Sequence, residues 1–433
     1  MKTRGIILII VATLLPLAWY LPMMQANGEG ALSQYLGSAS LILMGFTMYM
    51  ATRTRFVEPI FGSLDRVYVL HKWLAIGALI TAYLHSQIDA ELGNIALVRG
   101  LADPAEDWGE LANNGLIFLI TVSLLTFIPY KFWKWSHRFI GLFFAIAAAH
   151  YIFIEKPFST FEPRGLYITA FCVIGVASYL WMLLPRILGH NSKKYEVTEV
   201  SSGNGIADIT MKPQGRGITH KAGQFTFINF EPLNLVETHP FTIASAPNSD
   251  GTLNFKVKGL GRYTARMGTE VKPGMVARVS DSYGHFHPSK DGNPQVWVGA
   301  GIGITPFIAW AEGLAADWAS PTTLYYCVQS REAAVYLEEF EAIAAAVPNF
   351  NVVPVISGQD PRLSAETIAA GLGDKIKSAD VYFCGPTKMR EALKIGLVKK
   401  GLGFNRFHNE EFEMRTGIGV MKWLRTARQF IGI

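Results

Sequence analysis

Cysteine is scarce in this chain: Cys172, Cys327 and Cys384 are the only three in 433 residues. None lies in a C-x-x-C or C-x-x-C-H arrangement, which excludes a covalent c-type haem and a cysteine zinc site and implies no disulfide framework. Charge is also sparse, at 17 % of residues. The formal net charge of +5 is explained by basic residues at the ends of apolar runs, so no nucleic-acid partner is implied. Histidine avoids the apolar half of the chain, with four exceptions. Of ten histidines, six follow the last apolar stretch, while His71, His85, His137 and His150 lie inside apolar stretches.

Composition is split rather than uniform. Residues up to about Leu184 are mostly apolar, in runs near the ~20 residues a membrane span requires. Six spans are expected: Gly5–Met23, Ala31–Ala51, Val67–Ile88, Leu111–Tyr130, Phe139–Ile154 and Gly165–Leu184. The fifth is expected to begin near Trp135, with His137 in its first turn. Twelve basic residues flank the span ends on one side, from Lys2 and Arg4 to Lys193 and Lys194, against Arg99, Lys156 and Arg164 on the other. That asymmetry predicts both termini in the cytoplasm of a multi-pass protein of the cytoplasmic (inner) membrane, with the acidic loop Asp89–Glu110 outside. Met1–Arg4 with its apolar run also reads as a signal peptide, but no A-x-A-like site follows it.

An ionisable ring within a membrane is costly and marks a functional site by default, and neutral imidazole is the commonest metal ligand. His71 and His85 are 14 residues apart, close to four turns and about 40° from registry, so both rings share a face. His137 and His150 are 13 apart and miss registry by about 140°. A tilt, bulge or local unwinding must correct that if one bundle uses both. Two pairs on neighbouring spans are what two stacked haems, each held by two histidines, need. The bland alternative is four polar residues satisfied by adjoining helices. Without C-x-x-C-H, any haem is of b type.

Past a polar linker at His190–Lys194, the alternating Tyr195–Val200 opens a run of short strands (Phe225–Phe230, Leu253–Val257, Val276–Val279), the pattern of a small antiparallel barrel. From Pro294 the pattern changes. The strand Gln295–Val298 leads into Gly299-Ala300-Gly301-Ile302-Gly303-Ile304-Thr305-Pro306 and a helix through Leu314. Strand, glycine turn and helix N-terminus make a phosphate-binding device. Strands Leu324–Val328, Val352–Ile356 and Val381–Phe383 alternate with helices Ala333–Val347 and Ala365–Ala370, predicting a parallel sheet.

Five features in order resemble the NADPH oxidase and ferric reductase superfamily, from about Leu41 to Phe412. They are the two histidine pairs, His239-Pro240-Phe241-Thr242-Ile243-Ala244-Ser245-Ala246-Pro247 (flavin motif), Gly299–Pro306 (nicotinamide glycine motif), Cys384-Gly385-Pro386, and Phe407-His408-Asn409-Glu410-Glu411-Phe412 (C-terminal flavin-covering segment). The resemblance implies a six-span membrane α-helical bundle (residues 1–189) carrying two haem b groups. It implies a cytoplasmic ferredoxin-reductase-like module as well: an antiparallel β-barrel FAD domain (190–290) and an α/β parallel-sheet NAD(P) domain (291–415). Residues 416–433 extend beyond it.

By the same resemblance, Phe241 and Thr242 lie on the flavin, Thr242 near its reactive nitrogen, and His239 lies near the flavin and its phosphates. Lys258, Gly261 and Thr264 hold the FAD pyrophosphate. Gly299, Gly301, Gly303, Thr305 and Pro306 face the nicotinamide nucleotide. Cys384, a residue type more often simply buried at a strand end, approaches the nicotinamide ring. Phe412, which reads equally as a packing residue, stacks on the flavin. Ser330 and Arg331 stand where a 2′-phosphate would sit, and no acidic residue occupies that strand end to hold a free ribose, which favours NADPH while leaving NADH possible. Phe143 is the better match to an aromatic between the haems, with core packing as the alternative. Arg66, Lys72 and Arg138 are placed to meet the inner haem's propionates, though the positive-inside rule puts cations there regardless.

The implied activity passes electrons from NADPH to FAD, to the His71/His137 haem, to the His85/His150 haem, and on to an extracytoplasmic acceptor: oxygen, giving superoxide, or ferric iron. Outward flow is favoured by about 2.3 kcal/mol per 100 mV. An electron-donor subunit reducing a periplasmic protein partner is the alternative. Two departures bear on oxygen. Ala31–Ala51 contains no arginine, and Asp89 stands four residues past His85 where the oxidase branch has a second histidine. Basic and apolar residues alternate in Met421–Ile433, which suits a helix on the membrane surface or a docking helix.

Overall fold

Proline sets the first break in the helical half. The computed structural model describes residues 2–88, 92, 95–125, 127–188, 192–230 and 239–410. The first apolar run forms helices α1 (Thr3–Leu14) and α2 (Leu17–Tyr20) and a 3-10 turn, Leu21–Gln25. Pro16 lacks the amide that would carry the ladder through. Then follow α3 (Gly28–Ala51), α4 (Val57–Phe61), α5 (Leu64–Gln87), α6 (Ala102–Leu124), α7 (Tyr130–His137), α8 (Ile140–Phe153) and α9 (Pro163–Leu188). Asn27 caps α3 by accepting from Gly30 N–H at 2.8 Å, a donor the first helical turn leaves open.

Among the described residues, four stretches are long and apolar enough to cross a membrane: Thr3–Gln25, Leu64–Gln87, Phe132–Phe153 and Pro163–Leu184. Helices α3 and α6 have the length, at 24 and 23 residues, but are more polar. One sequence expectation needs correction. Helix α6 starts at Ala102, not Leu111; Asp103 and Pro104 in its first turn favour a start there. The fifth span, expected from near Trp135, coincides with the apolar stretch Phe132–Phe153, which α7 and α8 share. Between them Arg138 N–H donates to the Trp135 carbonyl and Phe139 N–H to the Ser136 carbonyl, a 3-10 tightening just after His137.

Helix α3 packs on α5 and α9, and α6 on α8. Their core includes Leu41, Met44, Ala78, Leu116, Phe144 and Ala148. Glycines permit the close approaches: a Cβ on Gly175 of α9 would lie 2.2 Å from the buried Phe144 ring, and one on Gly115 of α6 would lie 2.2 Å from Phe143. Small residues at crossings are how helices associate in lipid.

The second unit runs from Asn191. Its first half is an antiparallel sheet of β1 (Lys193–Gly203), β2 (Ile206–Pro213), β3 (Phe225–Phe230), β4 (His239–Thr242), β5 (Leu253–Lys258) and β6 (Val276–Tyr283), in the order β4-β3-β6-β1-β2-β5. Ala244 N–H donates to the Asn254 carbonyl at 2.8 Å, tying the chain just past β4 to the far edge strand, so the sheet curls on itself. Tyr195, Ile209, Phe230, Phe255 and Val279 fill it, and α10 (Arg262–Glu270) follows β5.

The second half is a parallel sheet of β7 (Gln295–Ala300), β8 (Thr322–Val328), β9 (Phe350–Ile356), β10 (Asp380–Cys384) and β11 (Phe407–Asn409), ordered β11-β10-β7-β8-β9. Helices α11 (Thr305–Glu312), α12 (Leu337–Ala346), α13 (Ala365–Leu372) and α14 (Thr387–Lys399) accompany it. The chain leaves β7 toward β8 on one side and returns to β10 on the other. That reversal of strand order is where such sheets bind ligands, beyond the carboxyl ends of the strands.

Candidate functional site

The four histidines meet as two pairs. His71 of α5 faces His137 of α7, ring centres 6.2 Å apart, and His85 of α5 faces His150 of α8 at 6.4 Å. A metal held between two imidazole nitrogens at about 2.0–2.1 Å each sets the ring centres roughly 6 Å apart. Both pairs therefore fit a shared iron.

Each ring is oriented through Nδ1. His71 Nδ1 meets the Thr47 carbonyl at 2.9 Å, and His85 Nδ1 meets the Ser33 carbonyl at 2.9 Å. His137 Nδ1 meets Ser123 Oγ at 2.9 Å, and His150 Nδ1 meets the Ala105 carbonyl at 2.7 Å. Carbonyls only accept, so those Nδ1 atoms carry the proton. The Ser123 hydroxyl is spent on the Leu119 carbonyl at 2.7 Å, which makes it an acceptor for His137 too. All four Nε2 atoms are thereby left as bases, the tautomer a metal needs, and outer-shell partners of this kind are what fix metal-binding histidines. The first pair takes one anchor from α3 and one from α6, and so does the second. The sequence reading missed all four anchors; Ser33 and Ser123, polar residues in apolar helices, were their one visible trace.

Other close neighbours are equally specific. Trp133, one turn before His137, stacks on its ring at 5.0 Å and 21°. A Cβ on Gly109 would lie 2.6 Å from His150 Nδ1, and one on Gly37 would lie 3.2 Å from the His85 ring. Phe143 lies against Gly115, which falls between Ala105 and Ser123 along α6, whereas Phe144 is core. We expect Ser123→Ala to weaken haem retention at His137 about tenfold, measured by haem loss to apomyoglobin. Retention equal to wild type would show that this anchor is idle.

In the antiparallel sheet, β4 carries the flavin motif, with Thr242 paired to Phe225 and His239 to Ile228. The Thr242 hydroxyl is buried without a hydrogen-bond partner, an unmet need that a flavin ring edge would satisfy. His239 lies against Tyr263, ring centres 3.9 Å apart and tilted by 31°. Gly261 precedes α10, and Thr264 Oγ1 accepts from the amides of Leu260 and Gly261, both at 3.0 Å. The Thr264 hydroxyl thus shapes this loop, and Lys258 ends the adjacent β5.

At the strand-order reversal, Gly301 takes φ +57° with open space where a Cβ would be. A Cβ on Gly303 would lie 2.3 Å from the Cys384 carbonyl oxygen, so this glycine lets the turn press on Cys384-Gly385-Pro386. Register confirms the contact: Cys384 pairs with Gly299. The Cys384 thiol itself sits in the domain core at 0 % exposure, and burial, with Glu410 beside it, pushes its pKa well up. Burial also lifts the Cys327 thiol to about 12. Native protein at pH 8 should therefore resist iodoacetamide at Cys327 and Cys384, with labelling only after denaturation, read by peptide mass spectrometry. Rapid native labelling of Cys384 would contradict this burial. Ser330 leads a 3-10 turn, Arg331–Ala333, past β8, with Glu332 in that turn bonded to Ser330. An acidic group thus stands close to the strand end where the sequence reading saw none. Phe412 and residues 416–433 lie outside the described residues.

Residues 36–148 match the ferric reductase like transmembrane component, 191–292 an FAD-binding domain and 297–394 an oxidoreductase NAD-binding domain. The three matches lie in one chain in that order: a membrane component, then FAD- and NAD-binding domains. The chain is 23 % identical to human dual oxidase 2 over 323 residues, 65 % of this chain and 20 % of that protein. It is 27 % identical to the flavohemoprotein of Bordetella pertussis over 231 residues, 48 % of this chain and 57 % of that protein. The FAD/NAD-binding domain of a Vibrio cholerae nitric oxide dioxygenase aligns with 51 % of this chain and 98 % of its own, at 21 % identity and TM-score 0.46. The chain spans about a fifth of the length of the dual oxidases it matches.

Proposed function

We propose that this protein carries electrons from NADPH through FAD and two b-type haems to an acceptor across the cytoplasmic membrane. In this reading α3 and α6 complete six spans and both termini are cytoplasmic. The observation that carries it is the pair of facing histidines, each Nδ1 anchored and each Nε2 left basic. FAD, when bound, would supply the change from hydride to single-electron transfer, and haem, held by His71 with His137 and by His85 with His150, would supply one-electron transfer. The chain's own residues bind and orient. The glycine turn and the α11 N-terminus offer amides to the nucleotide phosphates, Thr242 offers its hydroxyl to the flavin edge, and the Nδ1 anchors hold the imidazoles. Lys258, Gly261 and Thr264 shape the pyrophosphate site. Ser330 and Arg331 favour NADPH, and Glu332 beside them suits NADH as well.

Oxygen and ferric iron are both acceptors within reach of this chemistry. Helix α6, whose Ala105 anchors His150, exposes Asp103, Glu106, Asp107 and Glu110 in its first turns. Those carboxylates favour a cationic acceptor, so a ferric complex is the better fit. The test is an anaerobic spectrum of detergent-purified, haem-loaded protein with FAD, taken before and after NADPH, then with a ferric chelate or air. Reduced b-type bands that the chelate bleaches are expected. Absence of haem bands would overturn the reading of the histidines. Bands that persist with both acceptors would point instead to a protein partner. Bleaching by air with superoxide dismutase-sensitive dye reduction would make oxygen the acceptor.

A further inference from the structure

The turn after α8 holds a cation that nothing in the assigned chemistry uses. Lys156 is 2 % exposed. Its ammonium donates to the carbonyls of Tyr151 (2.8 Å), Ile152 (3.1 Å) and Ile154 (3.2 Å), and it lies 5.0 Å from the centre of the Tyr151 ring. These carbonyls belong to the turn that starts at His150, whose own carbonyl accepts from Ile154 N–H at 2.8 Å. Among the described residues no carboxylate pairs with Lys156. Glu162, just before α9, and Arg164, in its first turn, pair with each other at 2.5 Å. The Lys156 backbone is held as well, in a two-way bridge with Ile95 at 3.2 and 3.3 Å.

Capping alone does not account for this. A lysine serves the last carbonyls of a helix equally well from the surface, where its charge stays hydrated. A buried cation without a counter-charge is costly, and in a membrane protein such a residue marks function by default. What stands one turn away is a redox centre. We propose that Lys156 is a fixed charge that raises the reduction potential of the haem held by His85 and His150.

The inference rests on the haem reading above. One electron arriving at that pair cancels one unit of positive charge on the ferric centre. A neighbouring cation in low dielectric disfavours the oxidised state and so favours arrival. Burial lowers the pKa of the Lys156 ammonium to about 8, so it carries its charge in titrations run well below that pH, and the same electron leaves to the acceptor. The His71–His137 pair is 14 residues back along α5, roughly 21 Å, so the charge acts unequally on the two haems. It tilts the relay toward the second pair. Lys156 is a tuning residue, not a catalytic one.

The experiment is a spectroelectrochemical titration of full-length, haem-loaded protein. Wild type is compared with Lys156→Met and Lys156→Arg, and a His85→Ala variant assigns the two haems. The expected result is a negative shift of the His85/His150 midpoint in Lys156→Met, the other midpoint unmoved, and restoration by Lys156→Arg. If Lys156→Met does not hold two haems, Lys156→Gln, which keeps a donor for the carbonyls, replaces it with the same expected shift. Unmoved midpoints, or equal shifts of both, in a folded two-haem variant would overturn the role of Lys156. Wild type without haem would overturn the haem reading instead, so the two failures are distinguishable.

Discussion

Replacing His150 by alanine is expected to leave the protein with one haem instead of two and to cut acceptor reduction by at least about a hundredfold. With one axial nitrogen removed, the His85 ring has no partner across the 6.4 Å gap, and a b-type haem has no covalent link to fall back on. NADPH oxidation by bound flavin should continue, because the FAD and NAD(P) motifs lie in another part of the chain. A Gly109→Val substitution is expected to act the same way without touching a ligand, since its Cβ would fall 2.6 Å from His150 Nδ1, well inside contact distance. The pyridine haemochrome assay counts haem per protein. Two haems retained in both variants would show that His150 is a core histidine and not a ligand.

The second large effect is expected at the other end of the pathway. In Gly303→Val the new Cβ would meet the Cys384 carbonyl oxygen at 2.3 Å and the Gly385 nitrogen at 2.9 Å. Both are backbone atoms of the end of β10 and cannot rotate aside. The glycine turn must lift off the sheet, and the amides at the α11 N-terminus lose their aim at the phosphates. NADPH-driven haem reduction should fall by at least about a hundredfold, which is about 2.7 kcal/mol of lost transition-state stabilisation. FAD content should hold, because the flavin motif sits on the antiparallel sheet, and dithionite should still reduce both haems. An unchanged KM for NADPH would place the nucleotide elsewhere.

How much of this was legible beforehand depends on what kind of atom does the work. Side-chain chemistry with a period was readable: His71 and His85 on α5, the glycine turn after β7 and the strand alternation of β1 and β5 lie where their spacing put them. The 13-residue interval between His137 and His150 even demanded a break, though not its position at Arg138–Phe139, because no proline or glycine marks it. Work done by main-chain carbonyls was not readable, since Thr47, Ser33 and Ala105 orient imidazoles through oxygens that every residue has. The start of α6 was misjudged because an apolarity criterion stops where charge begins, while a helix does not. The roles of Thr264 and Lys156 depend on which backbone groups stand opposite them, a property of the folded chain.

The two helices too polar to pass as spans on composition, α3 and α6, are the two that supply every Nδ1 anchor. Their serines, threonines and glycines lower the gain from entering lipid, while their main-chain carbonyls, with the Ser123 hydroxyl, orient the histidines. Such helices gain little from insertion alone and depend on α5 and α8 to hold them. Under the proposed function, haem held at the two histidine pairs would also tie α3 and α6 into the bundle, so protein made without haem would be the less stable form.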